Sequence, residues 1–260
     1  MVVRNIDIDA LVLKASSHAS FDDGACLLEA VAYIAGEAWS DHPQCVSPVL
    51  AAFGRNWNDG MRSDDERASL KPYIPLLIGT AGDAAADERR AWMATDWLVR
   101  VATPAWLRLA GLIEHADTLA ALQPITNAAY AASVQGSIVS ARDSAAAAGA
   151  AAGAAARAAA RAAAWAAALA AALAAAEDAA GAAAWAAAEA TAWAVAGDAA
   201  WDAAGDALAP TVLALQSSAH DLFGRMIRAE ECPAQWPVLV FTAAVERPLR
   251  IEDVDGEEDE

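Results

Sequence analysis

The stretch Gly149-AAA-Gly153-AAA-Arg157-AAA-Arg161-AAA-Trp165-AAA-Leu169-AAA-Leu173-AAA-Glu177 sets one distinguished residue after every three alanines. The register continues without a slip through Gly181, Trp185, Glu189, Trp193, Gly197, Trp201 and Gly205. Across residues 141–208, 43 of 68 positions are alanine and proline is absent until Pro210. Alanine is the best helix former, so this tract predicts helix and makes the protein all-α. A repeat of four turns about 400° per step, so the marked side chain moves about 40° around the helix at each repeat and winds around the rod. One straight helix of this length would span about 100 Å and leave its tryptophans in water. A break near Glu177-Asp178-Ala179-Ala180-Gly181 predicts instead a long alanine-rich antiparallel helical pair, since a short turn favours antiparallel neighbours. Trp165, Trp185, Trp193 and Trp201 then either fill the seam of the pair or stand as a docking rail for a partner. Arg157 and Arg161, one turn apart, are either a solvated face or partners of acids elsewhere.

Helical signals also fill the residues before the tract. Asp22-Asp23-Gly24 precedes an apolar helix from Cys26 to Ala35, and Ser47-Pro48 is a cap followed by proline at a helix start, opening a segment that ends at Asn58-Asp59-Gly60. Ser63-Asp64-Asp65-Glu66 reads as a capping box. A longer amphipathic helix is predicted over 83–103, with Asp96 four residues before Arg100 as a favourable pair and Pro104 ending or kinking it. Pro210 is expected to open a further helix over 211–229. Residues 2–13 and 237–241 are the two stretches with strand character and are candidates for a small strand pair. The expected organisation is an N-terminal helical domain over 1–125, an alanine-rich helical region over 126–230, an extended segment over 231–251 and a disordered acidic tail over 252–260.

Charge narrows the function classes. The chain has 260 residues, 17 basic and 35 acidic side chains and a net charge of -18. The excess is spread along it, at -7 over 1–140, -4 over 141–208 and -7 over 209–260. Phosphate contacts need clustered Lys and Arg, so direct nucleic-acid binding is not expected, and an anionic membrane surface would repel the chain. A basic protein partner fits this charge. The longest uncharged apolar run of the tract, residues 162–176, is shorter than the roughly 20 residues of a membrane span. Three cysteines, Cys26, Cys45 and Cys232, cannot all pair within one chain, and the first ten residues lack the pattern of a secretory signal. A cytoplasmic location is the expectation.

The segment with most chemical information is 24–59. Gly24-Ala25-Cys26-Leu27-Leu28-Glu29-Ala30 leads into Ala35-Gly36-Glu37-Ala38-Trp39-Ser40-Asp41-His42-Pro43-Gln44-Cys45, and the segment closes on Asn58-Asp59. It resembles an uncharacterised family of actinobacterial and actinophage proteins carrying G-x-C-x-x-E-A-x-A-x-x-A-G-E-x-W-S-D-H-P-x-C, with a weaker likeness from Arg90-Ala91-Trp92 to Trp106. The resemblance implies a shared fold over roughly the first half of the chain and no known activity. The A-A-A-R and A-A-A-W runs are similar in composition to helical bacterial immunity-type proteins.

Two chemistries can be built from this segment. Cys26, His42 and Cys45 are a soft ligand set for zinc, with Glu29 or Asp41 as fourth ligand or base, although no C-x-x-C is present. A cysteine nucleophile served by His42 and Asp41 is the second, although neighbours in sequence point apart. The plain alternative is that the cysteines are small core residues and that Ser40 or Asp41 caps a turn. Phosphate loops, dinucleotide fingerprints and nucleophile elbows are absent from the sequence. The leading expectation is a non-enzymatic interaction module without a cofactor. The alternative is a metal-dependent or cysteine-dependent enzyme.

Overall fold

A computed structural model of the chain describes Arg4, residues 6–151 and residues 201–239, without the side chains of 149–151 and 201–207. Over these residues the protein is an all-α bundle. Helix α1 (Leu27–Ile34) starts at Cys26, where the Glu29 carboxylate reaches back to the Cys26 N–H at 2.8 Å as in a capping box. Helix α2 (Pro48–Gly60) has Pro48 in its first turn and the Ser47 hydroxyl as its cap. Ser63 caps α3 (Asp64–Arg67), which runs through a 3₁₀ segment over 68–73 into α4 (Ile74–Leu77). Helix α5 (Ala84–Trp97) opens at Asp83, whose carboxylate accepts the Ala86 N–H at 3.0 Å.

Of the two outcomes expected at Pro104, an end or a kink, the helix does not end there, and at Pro210 the structure departs from the sequence expectation. Pro104 does not end the long helix: α5 passes through a π turn at Leu98–Ala102 into α6 (Thr103–Leu109). In that turn the Thr103 N–H bonds to Leu98 O, five residues back. The wider turn suits a residue that has no N–H and whose ring crowds the carbonyl four residues earlier. Pro210 does not open a helix either. It lies inside helix α9 (Trp201–Ile227), where burial of Leu208, Thr211 and Val212 on either side offsets the lost hydrogen bond.

Between these lie α7 (Ile113–Ala120) and α8 (Ala128–Ala151). Asn127 caps α8 by accepting the Tyr130 N–H at 2.9 Å. The buried stripe Ala131, Val134, Ile138, Ala141 and Ala145 follows the helical period, so the first residues of the alanine tract pack on the core through one face.

Helix α9 lies against α2, α5 and α6. Phe53 and Phe223 stack at 5.2 Å between centroids, and Trp57 meets Phe223 edge-on. The buried indoles are also satisfied: Trp57 Nε1 donates to Gln216 Oε1 at 2.6 Å and Trp97 Nε1 to Ser218 Oγ at 2.8 Å. Gly54 lets the helices approach, since a Cβ there would stand 3.1 Å from Leu27 Cδ2 and 3.4 Å from Phe223 Cζ. One continuous cluster of buried side chains runs from Leu13 to Trp236.

No strand occurs among the described residues. Leu13 and Ala25 make a single isolated bridge, and 237–239 are irregular, so the contemplated strand pair does not form there. The fold-back near 177–181, Arg157, Arg161, Trp165, Trp185, Trp193, the Trp201 side chain and the segments 240–251 and 252–260 lie outside the described residues. No helix among the described residues is long and apolar enough to cross a membrane.

Candidate functional site

The residues singled out in 24–59 divide into a buried knot and an exposed turn. The knot begins at Cys26 and Glu29, both 1% exposed. One Glu29 carboxylate oxygen accepts the His18 backbone N–H at 2.6 Å; the other lies 2.8 Å from His18 Nδ1 and also accepts the Cys26 N–H. His18 is itself held from outside, because Trp39 Nε1 donates to its carbonyl at 2.8 Å. Gly24 has φ of +128°, and a Cβ there would lie 2.8 Å from Lys14 Cδ and 3.1 Å from His18 Cδ2. Only glycine fits such a position.

Asn58 and Asp59 close the other side of the knot. Asn58 Oδ1 accepts the Leu27 N–H at 3.2 Å, and its Nδ2 donates to Lys14 O at 2.8 Å. The Asp59 carboxylate accepts the Ser16 N–H at 2.8 Å, holding Ser16 at a φ of 68°. The start of α1, the end of α2 and the loop over 14–18 are thus tied by charged and amide side chains. These groups satisfy backbone donors that burial would otherwise leave unpaired.

Asp41, His42 and Cys45 are elsewhere in character. The His42 side chain is 64% exposed, with Nε2 3.6 Å from Asp41 Oδ1. The Asp41 carbonyl accepts from Arg55 at 2.6 Å. Cys45 is half-buried, its carbonyl accepts the Gly79 N–H at 2.9 Å, and its thiol is hydrogen-bonded to Glu37. Glu37 in turn accepts the Gln44 N–H at 2.6 Å. Among the described residues no three His, Cys, Asp or Glu side chains are grouped to hold a metal ion. Cys26, His42 and Cys45 are therefore not brought together as a ligand set.

The thiols are also poorly placed as nucleophiles. Burial pushes the Cys26 thiol up to about 12, and burial together with the Glu37 carboxylate pushes Cys45 up to about 11. Activated cysteines are shifted the opposite way, by neighbouring cations or helix N-termini. Cys232 is raised as well, by burial and by the Asp96 carboxylate that its thiol bonds.

A second buried cluster surrounds that carboxylate. Asp96 is 0% exposed and accepts from Arg100 at 3.0 Å, from the Ile125 N–H at 2.7 Å and from Trp236 Nε1 at 2.6 Å. Arg100 also donates to Ala234 O at 2.9 Å. The pair that spacing alone presents as a helix-surface salt bridge is the anchor of the segment 231–239. Burial raises the Asp96 pKa against the pull of its donors.

Sequence reasoning missed His18 as the partner of Glu29. It lies in an irregular loop eleven residues from Glu29, a separation that matches no helical or strand period. Comparison of the chain with protein-family models, characterised proteins and solved structures gives no match.

Proposed function

We propose that this protein is a non-enzymatic interaction module for a basic protein partner. One observation supports the reading above others: the described arginines are each engaged by a carboxylate, a carbonyl or a ring, several of them at the surface, while a set of exposed carboxylates has no such partner among the described residues. Arg62, Arg67, Arg90, Arg100, Arg108, Arg142, Arg225 and Arg228 all sit in ion pairs. Arg55 and Arg89 bond backbone carbonyls, and Arg4 lies over the Tyr33 ring at 4.4 Å. Asp22, Asp65, Glu88, Glu114 and Glu231 are exposed and carry no ion pair among the described residues. Such a surface steers a cationic protein toward contact.

A cytoplasmic setting and a place in phage or mobile-element biology, including neutralisation of a toxic basic protein, fit this reading and the resemblance of residues 24–59. The enzyme alternative at Cys26, Glu29, Asp41, His42 and Cys45 lacks a converged group to carry it.

The test is affinity capture with the full chain, followed by titration of the purified partner at low and raised salt. The reading expects a partner rich in Lys and Arg whose Kd weakens as salt rises. Partners bound without salt dependence, or a stoichiometric metal in the native protein, would move the assignment away from this module.

A further inference from the structure

The π turn, α6, α7 and the segment 235–239 line an open cleft of about 470 Å³. That is within the range of small-molecule sites. Its lining combines two guanidinium side chains, Arg100 and Arg108, with an apolar wall that includes Val101, Trp236, Val238 and Leu239. We propose that this cleft binds a small monocarboxylate with an apolar body, of the class of medium-chain fatty acids.

Three features carry the assignment. The Arg100 side chain is 5% exposed and its Nε has no hydrogen-bond partner among the described residues. Its Nη1 is spent on Asp96 and its Nη2 on Ala234 O, which leaves Nε as its unused donor. Arg108 is half-exposed and, among the described residues, its ion pair is with Asp117 at 2.8 Å, itself 63% exposed. A solvent-facing pair of that kind is held weakly, and a ligand carboxylate can take the place of Asp117. Val238 is 87% exposed, leaving an apolar side chain in water on the cleft wall, where an alkyl chain would cover it. The charge of the ligand follows from the rest of the molecule. A body of net charge -18 repels each further negative charge, so one carboxylate is favoured over a phosphate ester.

The test is isothermal titration of the full chain with decanoate below its micellar concentration, with decanol and acetate as controls. Two variants, Arg108→Ala and Val238→Asp, change a half-exposed and an exposed side chain and leave the buried cluster intact. The proposal expects saturable 1:1 binding of decanoate. Decanol and acetate should bind at least about tenfold more weakly, and each variant should weaken decanoate by at least about tenfold. Absence of saturable binding up to about 1 mM would overturn it, since a site with both an ion pair and an apolar wall binds more tightly than that. So would multi-site uptake, or affinity unchanged in both variants. Capture of a protein partner is a separate readout, so failure here leaves the interaction reading standing.

Discussion

Glu29 grips His18 by backbone and side chain at once, at 2.6 and 2.8 Å, although the two residues lie on different elements. A carboxylate this deeply buried is stable only when its lone pairs are filled, and here His18 and Cys26 fill them. The most polar part of the 24–59 segment therefore serves to fix the loop over 14–18 on α1.

Glu29→Ala should accordingly destabilise the protein by about 3 kcal/mol, because it leaves the His18 and Cys26 N–H groups buried without acceptors. Glu29→Gln keeps one acceptor oxygen and should lose roughly half as much. Urea unfolding of the full chain measures both. Equal stability of Glu29→Ala and the native protein would remove the structural role argued for this carboxylate.

Arg90 closes the end of α9. It is buried, its Nε donates to Met226 O at 2.9 Å, and its Nη1 donates to Thr80 O at 3.2 Å and Asp87 at 2.8 Å. Asp87 in turn accepts the Ser47 hydroxyl at the start of α2. Arg90→Lys should cost about 2 kcal/mol or more, since one ammonium cannot serve acceptors arranged for a planar fork. Arg90→Ala should cost about 3–5 kcal/mol by leaving Asp87 without its cation. Thermal unfolding that ranks lysine level with arginine would show the fork geometry to be irrelevant.

What the sequence made legible was the local part of the fold. Ser47-Pro48, Ser63 and Asp83 start helices as their chemistry dictates, because a cap is a contact over three residues. Pro210 misled because the cost of a proline depends on what surrounds it, here apolar burial on either side, while at Pro104 the helix is interrupted by a π turn without ending. Where the candidate residues of 24–59 lie in space was open in the sequence for a similar reason. Cys26, His42 and Cys45 look like a ligand set in one dimension, but α1 takes Cys26 into the core while the turn after Trp39 leaves His42 outside. Pairings such as Glu29 with His18 and Asp96 with Trp236 join irregular segments to helices, and no periodicity announces such contacts.

The raised thiols give a direct chemical prediction. At pH 8 a thiol titrating near 11 is only about one part in a thousand thiolate, and the thiolate is the reactive form. A thiol reagent should label Cys26, Cys45 and Cys232 slowly in the native protein and all three at once in guanidinium. Rapid native labelling of Cys45, the most accessible of the pair raised in the 24–59 segment, would restore the nucleophile reading.

His220 supplies the pH dependence. Its ring is packed between Tyr73 and Trp57, with Nδ1 2.9 Å from the Tyr73 hydroxyl, and burial lowers its pKa below 6.5. The unfolded chain therefore takes up the proton first as pH falls. Its contribution to stability is complete above about pH 6.5 and is lost progressively below that, until the folded site is also protonated. Glu66 and Glu230 have lowered pKa values, so their share is lost only below about 4.5. His220→Gln removes the titration while keeping a polar side chain. In urea titrations between about pH 6.5 and 5, the native protein should lose stability more steeply than the variant, by up to one proton's linkage. Parallel curves for the two proteins would mean that the ring is not protonated differently on unfolding, and that burial among Trp57, Tyr73 and α9 does not hold it neutral.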